Sequence, residues 1–146
     1  MPYLTDTDVL LRYANKTDPA NALARRAVDT LLANGERLHY TQQNRRELWN
    51  VCTRPLAANG LGLTIAQAVA WLRQIDIIVT RLPDVPASGP EWDRLVVQYQ
   101  VTGKAVHDAQ LVASMRAHGI RHLLTLNVAD FARYASEVTV VHPNNV

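Results

Sequence analysis

A chain of 146 residues, 48% hydrophobic and 19% charged, has the size and make-up of one ordinary globular domain, which excludes a disordered chain and a disulfide-stapled miniprotein. Lys plus Arg number 15 against 13 acids, a net charge of +2 that permits contact with nucleic acid but lacks the dense basic stripe of a committed duplex binder. Cys52 is the only cysteine, so no intramolecular disulfide forms; with no basic leader and no long apolar run, the expectation is a cytoplasmic protein without membrane attachment.

In chain order, residues 3–5 read as a short strand ending at Asp6, and VLLRYA as the start of a helix with Thr7 or Asp8 as its N-cap. Asp18-Pro19 opens a second helix, because proline suits the first helical turn, and Asn34-Gly35 stops it. Residues 37–40 form a strand, followed by a helix from the Thr41 cap to about Thr53 and a glycine-containing loop. Thr64 caps a helix to about Gln74, and the β-branched run Ile75–Val79 predicts a strand. A turn-rich loop, PDVPASGP, leads to a helix over 91–100 and then to the strongest helix, from Lys104 to His118, stopped by Gly119. Residues 121–126 are a strand, Asn127 begins a short helix, and 138–141 are the last strand. Strands alternating with helices predict a single α/β domain over residues 1–146, a parallel sheet with helices on both faces. Ligands of such sheets bind at the carboxyl ends of the strands.

Five acids fall near those ends. One cap suffices for one helix, so of Asp6 and Asp8 one is surplus; Asp8 is the better-placed cap, which leaves Asp6 for chemistry. Asp108 heads an apolar helix stripe continued by Leu111, Val112 and Met115, and a lone buried carboxylate costs several kcal/mol unless paired or ligated. Its early place in the helix also suits a simple dipole role. Asn127 and Asp130 have capping-box spacing, although that motif prefers Glu or Gln in the acid's place. Glu47, taken alone, reads as a solvated surface acid. Converging carboxylates repel, by roughly 0.8 kcal/mol per pair at about 5 Å in water, and a divalent cation removes that objection. An oxygen-only donor set points to Mg²⁺ or Mn²⁺ rather than Zn²⁺, since no histidine has ligand spacing with His107.

TDTDVLL, QNRRELWNV and GKAVHDAQLVASMRAHGIRHLLTLNVADFAR together resemble a PIN-domain ribonuclease of the small bacterial VapC-like toxin sort. The resemblance covers nearly the whole chain, and HDAQLVA followed by LLTLNVADF is its most specific part. It implies a three-layer α/β/α fold with about five mainly parallel strands, and catalytic, metal-holding acids at Asp6, Glu47, Asp108 and Asp130. It also implies supporting roles for Thr7, Thr125 and Asn127, cleavage of single-stranded RNA with Mg²⁺ or Mn²⁺, a homodimer, and a small antitoxin partner. Asp8 stands where the family commonly has Asn. Arg45, Arg46 and Arg54 flank the Glu47 helix and are candidates for RNA phosphates, or ordinary solvated charges. A competing class is a non-catalytic module whose acidic pocket anchors an antitoxin or other partner.

Two further readings of the early acid pair are weaker. A dehalogenase-like phosphatase wants Thr or Val where Leu10 stands, and no glycine precedes an aspartate downstream. A phospho-receiver needs a lysine after its last strand, and Lys16 and Lys104 are not placed so.

Overall fold

The computed structural model describes residues 1–146. Five strands form one all-parallel sheet in the order β3-β2-β1-β4-β5: β1 (Pro2–Thr5), β2 (Arg37–Tyr40), β3 (Thr80–Arg81), β4 (His122–Leu124) and β5 (Thr139–Val141). Seven α-helices connect them: α1 (Thr7–Ala14), α2 (Asn21–Ala33), α3 (Gln42–Thr53), α4 (Ile65–Ile78), α5 (Ser88–Gln98), α6 (Val106–His118) and α7 (Val128–Phe131).

Successive strand residues point to opposite faces, and each face has its own core. Leu4 and Leu123 pack with Leu95 of α5, Val112 and Met115 of α6 and Phe131 of α7. Leu38, Tyr40 and Leu124 pack on the other side with residues of α1, α2, α3 and α4, among them Leu10, Val28, Leu48 and Leu72. The result is the expected three-layer α/β/α arrangement. Trp49 and Trp71 pack against the second core and Trp92 against the first, so these rings serve burial. No helix is long and apolar enough to cross a membrane.

Capping fixes the helix starts that bear on the site. Thr41 and Asn44 form a reciprocal box at the head of α3, and Thr64 and Gln67 another at α4. Gly119 ends α6 with a φ of +68°, a left-handed position where glycine carries no Cβ penalty. Gly60 is required for another reason: a Cβ there would stand 1.9 Å from the Arg54 carbonyl oxygen.

Two elements differ from expectation. Ile75–Val79 is not a strand. Ala68, Leu72, Ile75 and Val79 are all buried, and their helical spacing carries α4 on to Ile78, leaving β3 as the pair Thr80–Arg81 against β2. Burial of that stripe outweighs the local β preference of the isoleucines, a preference that is context-dependent; Ile77, off the stripe, is 83% exposed. Asp18-Pro19 does not begin α2 either. The Asp18 carboxylate accepts the Ala20 N–H at 2.8 Å and its carbonyl the Asn21 N–H at 3.0 Å, making a turn that hands over to the helix at Asn21.

Leu123 is fully buried between the sheet and α6. Leu123→Ala is expected to cost about 2–5 kcal/mol of stability, read as a lower urea midpoint with an unchanged m-value.

Candidate functional site

The strand order reverses direction beside β1, whose two neighbours are β2 and β4. A parallel α/β sheet opens a crevice at such a switch point, outside the carboxyl ends of the strands. Register fills that crevice with polar residues. Thr5 pairs with Leu124, so the next residues, Asp6 and Thr125, emerge side by side. The Asp6 N–H donates to the Leu124 carbonyl at 2.9 Å, locking the two strand ends together.

Thr125 is the clamp. Its hydroxyl donates to Asp6 Oδ2 at 2.9 Å, lies 3.4 Å from Asp8 Oδ2, and accepts the Asn127 N–H at 3.0 Å. The remaining Asp6 oxygen, Oδ1, accepts the Thr7 N–H at 2.8 Å, making Asp6 the N-cap of α1. This reverses the expected division of labour. Asp8, read as the better cap, instead reaches across the crevice and accepts the Leu126 N–H at 3.2 Å. Its other oxygen, Oδ1, is buried without a hydrogen-bond partner.

Glu47 is not a solvated surface acid. The Thr7 hydroxyl donates to Oε2 at 2.7 Å, and Gln43 Nε2 donates to Oε1 at 3.1 Å. Asn44, fully buried, donates to the Thr7 hydroxyl at 3.0 Å, so that hydroxyl has its proton committed to Glu47. The Thr41–Asn44 box therefore does two tasks, starting α3 and fixing the orientation of Thr7. Asn44 and Gln43 were not read as site residues from sequence. The signal was available in their spacing, since Gln43 and Glu47 are four apart and share a helix face.

Asp108 sits half-buried in the first turn of α6, with Ala109, Leu111, Val112 and Met115 buried behind it. Asp130 is exposed in α7. Asn127 makes no side-chain cap there, so the capping-box reading of the pair does not hold in the structure.

The electrostatics tie these groups into one site. Burial is the main force pushing the Asp6 carboxyl up to about 7; the Asp8 charge, and to a lesser degree Glu47, push the same way against the Thr125 and Thr7 hydrogen bonds. Burial also raises Asp8 above the usual carboxylate range. Asp108 is raised by burial first, then by the charges of Asp130 and Glu47. Glu47 thus acts on both halves of the cluster, Asp6 and Asp8 on one side and Asp108 and Asp130 on the other. As the side chains stand, no three acids, histidines or cysteines are gathered tightly enough to hold a metal ion.

The three arginines part company. Arg45 turns to α4, where it pairs with Asp76 at 2.9 Å and bonds the Tyr40 hydroxyl. Arg54 donates to the Asn59 carbonyl at 2.9 Å in the loop after α3. Arg46 alone is exposed, lies on the Gln43 side of α3 and lacks an acidic partner.

No family model matches the sequence, and no curated protein matches it. Solved structures do. VapBC2 from Rickettsia felis, bound to a DNA fragment from its promoter, aligns over 97% of this chain and 98% of that one, with a TM-score of 0.75 at 14% identity. VapBC-1 from nontypeable Haemophilus influenzae covers 99% of both chains with a TM-score of 0.74 at 12% identity. The chain has the PIN-like fold of VapC toxins. VapC20 from Mycobacterium tuberculosis, a toxin that cleaves the sarcin-ricin loop, shares it over 83% of this chain and 86% of its own, with a TM-score of 0.56 at 19% identity.

An acid whose pKa is raised on folding contributes stability that is complete below its ordinary value of 3.8 and is lost as pH rises through about 7. In EDTA, Asp6→Asn is therefore expected to match the wild type near the acid end and to exceed it at alkaline pH by on the order of 2 kcal/mol, read by thermal unfolding across the pH range. A variant no more stable than wild type at alkaline pH contradicts the assignment.

Proposed function

We propose that this protein is a VapC-type ribonuclease, the toxin of a type II toxin–antitoxin pair, hydrolysing phosphodiester bonds of single-stranded RNA in the cytoplasm with Mg²⁺ or Mn²⁺. One observation carries the reading: five acids from four segments lie within electrostatic reach of one another beside the switch point of the sheet, Glu47 acting on both Asp6 and Asp108. A structural cluster of like charges has no reason to be built there at the cost of raised carboxyl pKa values.

The residues fit a hard divalent cation. The donor set is all oxygen, the Asp6 carboxyl is destabilised as an anion, and Asp8 Oδ1 is buried without a partner. Asp6, Glu47, Asp108 and Asp130 would hold it, and when bound it would supply Lewis-acid activation of water and neutralise charge on the phosphoryl group. The chain's own residues do the rest. Thr125 fixes the Asp6 carboxylate, Thr7 and Gln43 fix Glu47, and Asn44 keeps the Thr7 hydroxyl pointing at it. Attack of water in line at phosphorus breaks the P–O3′ bond and leaves a 5′-phosphate and a 3′-hydroxyl. The neighbours support an antitoxin partner, among them a toxin–antitoxin complex from Klebsiella pneumoniae at a TM-score of 0.64. A homodimer is part of the same proposal.

The test is cleavage of labelled single-stranded RNA with Mg²⁺, Mn²⁺ or EDTA. Asp6→Asn and Asp108→Asn are each expected to reduce metal-dependent cleavage by at least about 100-fold. Retention of wild-type rates contradicts the site, and no cutting by any form under any metal favours a non-catalytic module that acts by binding its partner. Thr7→Val, which removes the hydroxyl between Asn44 and Glu47, is expected to cost about 10–100-fold in rate or in metal affinity. Unchanged kinetics would show that Glu47 needs no such hold.

A further inference from the structure

Beside the acid cluster lies a cavity of about 360 Å³ between the head of α3, the loop before α5, and α6. It has no hydrophobic lining and includes Gln43, Arg46, Asp84, Ser88, Gln110 and Ser114. Cavities in a domain of this kind ordinarily have apolar walls, and the other main clefts of this surface are larger and each have at least one hydrophobic wall residue.

Its polar groups are not used up by the fold. Asp84 and Arg46 carry opposite charges, yet neither forms an ion pair with the other or with any other residue. Gln110 spends its Nε2 on the Ser114 hydroxyl at 3.3 Å, which leaves its Oε1 unengaged. Ser88 donates to the Val85 carbonyl at 2.9 Å and retains its lone pairs. The cavity therefore offers several acceptors, one of them a carboxylate, and one guanidinium.

Only one wall separates this cavity from the acids. Gln43 lines it, and Gln43 Nε2 bonds both Glu47 Oε1 at 3.1 Å and the His107 carbonyl at 3.0 Å. A group seated here is next to whatever occupies the acid cluster.

We propose that this cavity is a base-reading subsite that takes a guanine of the RNA, on a nucleotide adjacent to the scissile phosphate. The inference rests on the ribonuclease reading above. Unstacked bases of single-stranded RNA are read by hydrogen bonds along their edges. Guanine presents two adjacent donors, N1–H and N2–H, which match the two oxygens of the Asp84 carboxylate. Its opposite edge presents O6 and N7, the pair that an arginine fork reads. Adenine and cytosine set a single exocyclic donor beside a ring acceptor that a carboxylate repels, and uracil sets one donor between two carbonyls. A cavity with one carboxylate, one guanidinium and a spare amide oxygen on Gln110 thus suits guanine over the other three.

The experiment uses the full chain carrying Asp108→Asn, so that RNA is bound without being cut. Fluorescein-labelled uridine-rich hexaribonucleotides with G, A, C or U at one position are titrated and followed by anisotropy. The G-containing RNA is expected to bind about tenfold tighter than the others. Adding Asp84→Asn, an exposed loop substitution that disturbs no hydrogen bond or ion pair, or Gln110→Leu, is expected to reduce that preference to about twofold or less. Equal binding of the four RNAs, or a preference that survives both substitutions, overturns the subsite and leaves the ribonuclease reading in place. No binding of any RNA, together with no cleavage by the wild type, overturns that reading and the subsite with it.

Discussion

Parallel pairing of β1 with β4 is the constraint on which the site depends. With Thr5 opposite Leu124, Asp6 and Thr125 become neighbours at the open end of the sheet, and the hydroxyl of one orients the carboxylate of the other. A slip of β4 by one residue would turn its side chains to the wrong face of the sheet and part Thr125 from Asp6. That register is enforced from behind: Leu123 and Leu124 belong to different cores, so each strand residue has one tolerable direction. The packing that stabilises the domain is thereby the packing that aligns the acids.

The site in turn acts against stability. Asp6 is almost fully enclosed and next to Asp8, an arrangement that opposes ionisation of either. Several partners soften this: the Thr7, Val9 and Leu126 N–H groups, the Thr125 hydroxyl, and Arg12, which acts on Asp8. They hold geometry more than they neutralise charge, since no lysine or arginine forms an ion pair with Asp6, Asp8, Glu47, Asp108 or Asp130. Arg12 near Asp8, and His107 and Arg133 near Asp108, offset the acids' charge only in part, which is consistent with the cation proposed above. Glu137 is a contrast: its largely buried carboxylate is ringed by Arg94, Arg116 and Tyr99, which hold it below the usual carboxylate range.

Much of this was legible in the residues. The alternation of strands and helices predicted the parallel sheet, Asp108 at the head of its apolar stripe predicted a half-buried acid, and the Thr41 cap stands where it was placed. Asp6, read as the acid left over for chemistry, proved to be the cap of α1 as well as a buried acid at the strand ends. What was not legible depended on distant contacts. Glu47 gains its place from Thr7, forty positions away, and from the crossing of α3 over the strand ends, which helix periodicity cannot report. The isoleucine-rich end of α4 misled because β-branched residues signal a strand only when no neighbouring element competes to bury the helical stripe they also form. The arginines could not be sorted by sequence, because Asp76 and the Asn59 carbonyl, which occupy Arg45 and Arg54, lie in elements whose docking is tertiary.

A divalent cation is proposed above to complete the acid cluster. Calorimetric titration of Mn²⁺ into the protein at about pH 6.5, in two buffers of different ionisation enthalpy, tests it without reference to activity. The account predicts binding with release of about one proton per ion, and loss of that release in Asp6→Asn, because the Asp6 carboxyl pushed up to about 7 must ionise on binding. Absence of Mn²⁺ binding, or binding with no proton released, would contradict it.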